Sequence, residues 1–320
     1  MKSLKIILAA FAVFCQLLLL GALIVRYEVI LRTGKEIIFR VIAVDEQKFD
    51  TGKFMPEFES AYVPRESCIG DLANYDPMDE SVPAPKKLYL SFKTPTDGPS
   101  VLLNASLIPS SEGTMMRARP DFWWRKGGTI LTGLERPFSF QSEKKTVKNE
   151  IFRDGFRREW DIVAAVGLTG FPIIKTHRFS PLAFKFAIIE KPSPGIEVTV
   201  RNVSEKETAI LDWPGGASFD VLIDEQKGWR QTKMRPVRMI VPGKSDLSNI
   251  IKKIKPGADY QFRVPFDQFV WKIADEDGQL KNFNEIAINE RPPLIIYYNP
   301  TVVFIEVPEL WKGRSRLGNL

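Results

Sequence analysis

The 320-residue sequence contains one histidine, His177, and two cysteines, Cys15 and Cys68. A lone histidine excludes metal centres built from several imidazoles, and two cysteines exclude zinc sites of four thiolates and a disulfide-dense scaffold. No metal and no cofactor are expected. Basic residues exceed acidic ones only mildly, 45 against 39, and Lys2 and Lys5 of that excess precede an apolar N-terminal run. The other basic residues are dispersed, and no basic stretch interleaves with aromatics as nucleic-acid binding requires. Nor is there a phosphate-binding loop. Gly127-Gly128 and Gly215-Gly216 lack its spacing and read as turns or bulges.

What is present begins with a long hydrophobic run. Ile6–Val25, IILAAFAVFCQLLLLGALIV, holds only Gln16 as a clearly polar residue. At about 1.5 Å per residue, such a helix spans roughly 30 Å, the hydrocarbon thickness of a bilayer. A cleaved signal peptide has a shorter apolar core and ends in a small-x-small site. Here the best cleavage point, after Ala22, has Leu20 at the −3 position, which favours a retained anchor. A lipoprotein would need a small residue before Cys15, where Phe14 stands. Arg26, Arg32, Lys35 and Arg40 follow the helix, so the positive-inside count favours neither side. The signal-like N-terminus predicts a body outside the cytoplasm.

The composition of the whole chain, 44% apolar and 26% charged, is that of a folded protein, and the length suits two domains. With 23 prolines and 22 phenylalanines, strands and turns are favoured over long helices. Residues 36–44 form a β-rich run, whereas 45–85 lose periodicity and read as a long excursion. Lys87–Lys93 alternates Leu88, Leu90 and Phe92 as a half-buried strand would, and Val101–Ile108 reads as another. Ser142 followed by EKKTVKNEIFRDG predicts a helix, with Ser142 as its N-cap and Gly155 closing its C-terminus. Trp160–Val166, Gly167–Gly170 and Phe171–Lys175 predict strand, turn and strand.

A second module begins near Phe184. Ile196, Val198 and Val200 alternate with polar residues, and Asn202–Glu207 makes a polar turn. Short strands are predicted at 209–211, 219–223, 260–264 and 269–273, the pattern of an antiparallel sandwich. Leu247–Ile254 fits a helical turn or a strand equally well. An apolar stretch, Leu294–Val307, and a basic tail with Lys312, Arg314 and Arg316 end the chain.

Within this frame VILRTGKEIIFRVIAVDEQKFDTGKFM resembles the opening of the GDYXXLXY family of bacterial membrane-anchored proteins. Val44-Asp45 and Gly52-Lys53-Phe54 stand where that family has its VDP…GDY segment. Lys53 replaces the family's Asp and Phe54 its Tyr, and the downstream Leu and Tyr are missing. ILTGLERPFSFQSEKKTVKNEIFRDG resembles the family's glycine-Ile-Glu-aromatic strand and following helix through Gly133, Leu134, Glu135 and Phe138. WDIVAAVGLTGFPIIKTHRF is similar to its closing hairpin. The resemblance covers roughly residues 1–180 and implies a class and a location, with Asp45, Gly52, Phe54, Gly133 and Glu135 as motif positions of unknown role. The second module resembles bacterial immunoglobulin-like domains through TVRNVSEKETAIL and IKPGADYQFRVPF, which bears on fold and hardly on function.

Few residues suggest chemistry. A Ser-His-Asp triad would need His177, with Ser180 and Asp161 as candidate partners, but nothing near it reads as a nucleophile elbow, and a surface or structural histidine is the better reading. A Ser-Lys centre is compatible with composition, without a motif to mark it. Asp275-Glu276-Asp277-Gly278 lacks the spaced ligands and distal Glu of an EF-hand and reads as a hairpin turn. Asn104 and Asn202 fit the glycosylation sequon. Phe122-Trp123-Trp124 is the candidate binding surface, because adjacent aromatics on a strand face opposite sides; burial between the sheet and a covering loop is the competing and more ordinary reading.

The sequence thus predicts a mainly β protein in three parts. Residues 1–27 form a transmembrane anchor, with 6–25 in the bilayer. Residues 28–183 form a membrane-proximal β-rich α+β domain, and 184–320 an immunoglobulin-like β-sandwich. The expected role is a non-catalytic binding or assembly module of the bacterial envelope that docks a protein or envelope partner, with no nucleic acid. A membrane-bound Ser-Lys hydrolase and a purely structural spacer are the alternatives.

Overall fold

The computed structural model describes residues 2–41, 49, 58, 63, 67–75, 85–95, 98–120, 130–134, 138, 141–189, 194–212, 218–223, 232–234, 247–265, 272–274, 280–282, 294–298 and 315–319. The chain opens with helix α1, Lys2–Thr33, and strand β1, Lys35–Arg40. Strands β2 (Leu88–Lys93), β3 (Val101–Ser106), β4 (Thr114–Pro120) and β5 (Ile130–Leu131) follow. Helix α2, Gln141–Ile151, leads into β6 (Phe152–Arg153), β7 (Phe156–Val166), β8 (Pro172–Ile189) and β9 (Gly195–Asn202). Then come β10 (Thr208–Leu211), β11 (Phe219–Ile223) and β12 (Thr232–Met234). One helical turn, Leu247–Ile250, runs straight into β13, Ile251–Ile254. Last are β14 (Asp259–Pro265), β15 (Lys272–Ala274), β16 (Leu280–Asn282), β17 (Leu294–Tyr298) and β18 (Ser315–Asn319). The protein is mainly β, its sheets are antiparallel, and an apolar helix precedes them.

Contacts divide the chain into two compact units. One comprises residues 1–43, 55–139 and 161–178; the other comprises 44–54, 140–160 and 179–320. The sequence reading places a boundary at 183/184. The division by contacts falls at 178/179 and assigns α2 to the C-terminal unit.

In the first unit β1 pairs with the second half of β7 from Lys35↔Val166 to Arg40↔Asp161, and β2 lies between β3 and β4. Leu88, Leu90 and Phe92 of β2 are buried together with Ser91, and Ile37 to Arg40 of β1 are buried on both faces of the strand. Phe92 meets the Phe39 ring edge-on at 5.5 Å between centroids, and Phe58 packs on Phe39 at 5.3 Å. The outer edge of β1 is closed by side chains. Ser100 Oγ accepts from Ile38 N–H at 2.9 Å, Ser100 N–H donates to Ile38 O at 2.7 Å, and Thr94 Oγ1 donates to Glu36 O at 2.9 Å. Those groups would otherwise present an open sheet edge.

In the second unit α2 buries Val147 and Ile151, four residues apart and so on one helical face. The sequence expectation for its ends needs correction. Gln141 is already helical, so Ser142 lies inside the first turn, where its carbonyl accepts from Thr146 Oγ1 at 3.1 Å. The helix stops at Ile151, and Gly155 is not its cap. Asp154 and Gly155, at φ 55° and 75°, form the two-residue loop of the β6–β7 hairpin, with Phe152↔Arg157 and Arg153↔Phe156 paired across it. Asp-Gly is among the strongest two-residue hairpin signals because both positions need positive φ, and here it outcompetes the helix end.

Further along, β8, β9 and β14 hydrogen-bond side by side, and β11 lies between β12 and β17. The expected burial of Ile196, Val198 and Val200 is observed. Phe184 of β8 and Tyr298 of β17 stack at 5.5 Å, while Phe219 of β11 touches Phe262 of β14 at 5.2 Å and Tyr298 at 5.8 Å. These four rings pack strands of the two sheets together. The Tyr298 hydroxyl accepts from Leu211 N–H at 2.8 Å, and burial raises its pKa above the ordinary tyrosine value. Asn202 organises the polar turn. Its amide donates to Lys206 O and Ile254 O, and its carbonyl accepts from Ser204 N–H and Oγ. Fully buried and fully bonded, it is a structural residue, not a glycosylation acceptor.

Candidate functional site at the end of the N-terminal helix

Helix α1 is long and apolar enough to cross a bilayer over Ala10–Thr33. Every side chain from Ala10 to Val29 is exposed, Phe11 at 65% and Leu20 at 54% among them. Apolar residues on all sides of a helix mean that no face is reserved for protein packing. After Gln16 the next polar side chain is Arg26. Tyr27 follows, half exposed, and Glu28 pairs with Arg32 at 2.7 Å one turn on.

Among the described side chains of α1, Ile30 is the first to be buried. Ile30 is buried against Ala165 of β7 and Ile173 of β8, with Leu31 beside it. Gly34 ends the helix by donating its N–H to Ile30 O at 2.8 Å. A Cβ on Gly34 would lie 2.5 Å from that carbonyl and 3.1 Å from the Val166 backbone, so only glycine fits between helix and strand.

The β7–β8 turn sits against the same helix end. Gly167 and Gly170 close it through Gly170 N–H to Gly167 O at 2.8 Å and Gly167 N–H to Phe171 O at 3.2 Å. This is a three-residue hairpin loop, Leu168–Gly170, with Gly170 at φ +76° as such loops require. A Cβ on Gly167 would meet Ile30 Cγ1 at 2.8 Å, and one on Gly170 would meet Arg117 N at 3.0 Å. Gly170 O accepts from Arg117 N–H at 2.7 Å. The turn is therefore wedged between α1 and β4. Out of it project Leu168, fully exposed, and Phe171, 50% exposed, whose ring lies 5.8 Å from the Arg26 guanidinium.

Most residues singled out from sequence are not among the described ones. Phe122, Trp123, Trp124, Asp45, Gly52, Phe54 and Glu135 lie outside the described residues, as do Gly127-Gly128 and Gly215-Gly216. Gly133 is described. It is exposed at φ +87° between buried Thr132, whose Oγ1 accepts from Leu134 N–H at 3.2 Å, and buried Leu134. That geometry is a turn device. Asp275–Gly278 also lie outside, but the strands that flank them pair as a hairpin, Ala274↔Leu280.

The groups of the conceivable triad are engaged otherwise. Asp161 is held by two arginines. Arg40 Nε donates to its Oδ1 and Arg40 Nη2 to its Oδ2 at 3.3 Å, while Arg178 Nη2 reaches Oδ2 at 2.9 Å. Arg40 and Asp161 are buried and face each other across β1 and β7, so the cluster ties strands together. The His177 ring packs on Phe138 at 5.8 Å, and Ser180 Oγ accepts from Leu182 N–H. Other serine hydroxyls also turn to backbone: Ser106 to Ile108 O, Ser218 to Leu211 O. Nothing in these contacts activates a nucleophile. Among the described residues, no three His, Cys, Asp or Glu side chains gather as a metal site would need.

Two charge pairs in the C-terminal unit show the same structural character. Arg201 grips Asp259 through Nε and Nη2 at 2.7 and 2.8 Å, and that hydrogen bonding holds the Asp259 carboxyl below its usual range. The same guanidinium lies over the Phe156 ring. Tyr260 donates to Asp212 at 2.5 Å, and burial, reinforced by that carboxylate, raises its pKa.

Sequence reasoning recognised the Gly167–Gly170 turn but missed Leu168 and Phe171. Their signal was an unusual one, two large apolar residues inside and beside a glycine-bounded turn. No family model, no curated protein and no solved structure matches this chain.

Proposed function

We propose that the protein is a bitopic membrane protein whose body stands outside the cytoplasm as a non-catalytic binding or assembly module, its C-terminal part an immunoglobulin-like sandwich. One observation carries the reading: α1 exposes apolar side chains around its whole circumference and then continues, without a linker, into β1. So long a run of exposed apolar residues would be a severe aggregation hazard in water, whereas in lipid it needs no partner. The direct helix-to-strand junction, sealed by Gly34, favours an anchor that stays attached. The antiparallel strands of the C-terminal unit and their shared aromatic cluster support the sandwich.

The test has two arms in intact cells expressing the full chain. Membranes washed at high pH should retain the protein, and its release would overturn the anchor. A cysteine placed at exposed Ile108, with Cys68 replaced by alanine, should react with a membrane-impermeant maleimide before lysis. Labelling only after lysis would put the body in the cytoplasm. Photo-crosslinking from surface positions should then capture a specific envelope protein, and a clean absence of adducts would remove the binding role.

A further inference from the structure

We propose that the β7–β8 turn is a second membrane contact, with Leu168 and Phe171 entering the leaflet surface beside the point where α1 emerges. The inference rests on the reading of α1 as an anchor.

A single exposed leucine is ordinary on a protein surface and carries no information alone. Three features separate this one. The first is depth. If the hydrocarbon ends near Val25, the headgroup layer beyond it, about 5–7 Å thick, covers the next four or five residues of a helix rising about 1.5 Å per residue. That stretch is Arg26–Ile30, and the turn lies beside it: Phe171 against the Arg26 guanidinium and Gly167 against Ile30.

The second is rigidity. The turn is held by Ile30 on one side and by Arg117 N–H on the other, so Leu168 cannot fold back onto the body. The third is continuity. Phe171 lies against Arg26, the residue that directly follows exposed Leu23, Ile24 and Val25, and Leu168 stands exposed in the same turn. Around them stand groups suited to a headgroup layer, Arg26 and half-exposed Tyr27. A turn anchored in this way would fix the azimuth and tilt of the domain on the membrane, which one helix cannot do.

Spin labels on the full chain in phosphatidylcholine–phosphatidylglycerol vesicles test this directly. Cys15 and Cys68 are replaced by alanine, and single cysteines are placed at Leu18, Leu168 and Ile108. Leu168 is wholly exposed, so L168C disturbs no packing. Collision with oxygen, enriched in lipid, is compared with collision with a water-soluble nickel chelate. The expected oxygen-to-nickel ratio is high at 18, several-fold above the Ile108 value at 168, and low at 108. A high ratio at 18 with an aqueous ratio at 168 overturns the turn contact and leaves the anchor standing. An aqueous ratio at 18 overturns both. A label at 168 shielded from both reagents would mean a protein neighbour covers the turn, and likewise overturns the proposal.

Discussion

Arg40, Asp161 and Arg178 show how one buried carboxylate can organise a sheet. Asp161 has lost its water, and its two oxygens are satisfied by guanidiniums from neighbouring strands. Arg40 is equally buried, whereas the Arg178 side chain is 41% exposed and keeps access to solvent. Removing one partner of such a pair leaves a charge in a dry site, which costs about 3–5 kcal/mol, while replacing both by apolar groups is often neutral. D161N should therefore destabilise the detergent-solubilised protein by about that amount, read as a lower denaturant midpoint. R40M with D161L should recover most of the loss. Equal stability of D161N and wild type would mean that the pair is not desolvated in solution.

At the level of elements, the junction of α1 with the β7–β8 hairpin depends on close approach. Gly167→Ala would push a methyl to 2.8 Å from Ile30 Cγ1. Isoleucine is stiff at its first torsion and cannot swing aside, so overpacking of about 1–3 kcal/mol is expected. Ile30→Ala removes the clashing atom. The double variant should lose less than the sum of the singles, and a cycle of unfolding midpoints measures that coupling. Additive effects would show that the two positions do not touch.

The same scale shows where sequence patterns succeed. Period-two burial in β9 is a local property of side-chain direction, and it is legible in the sequence, whereas in β2 the polar Ser91 between Leu90 and Phe92 is buried as well. Leu247–Ile254 supports helix and strand equally, and the chain uses both in succession. The Asp154-Gly155 pair misleads because a helix end and a tight hairpin draw on the same residue types. What separates them is a partner strand, and that is non-local.

For the whole molecule, retention of the helix is the decisive property. A chain expressed from this 320-residue sequence and purified from membranes should keep a mass of 36.4 kDa. A signal peptidase acting after Ala22 would yield a chain starting at Leu23, and intact-mass spectrometry separates the two at once. With Leu20 at −3 the uncleaved mass is expected. Under the proposed membrane contact, a retained helix would also let an exposed leucine and phenylalanine near its end meet lipid instead of causing aggregation.

By itself the sequence determined the apolar helix, the mainly β character and the absence of histidine-rich metal chemistry. These follow from composition, run length and alternation, each read within a few neighbouring residues. Tertiary structure alone decided that Asp161 serves two arginines instead of a histidine, and that Asn202 is spent on holding a turn. It also decided that a glycine-bounded loop carries Leu168 out beside the helix. Each of those depends on residues far apart in the chain, 121 positions for Arg40 and Asp161. No local pattern encodes which distant backbone will come close enough to require a glycine, or which charge will be left without water.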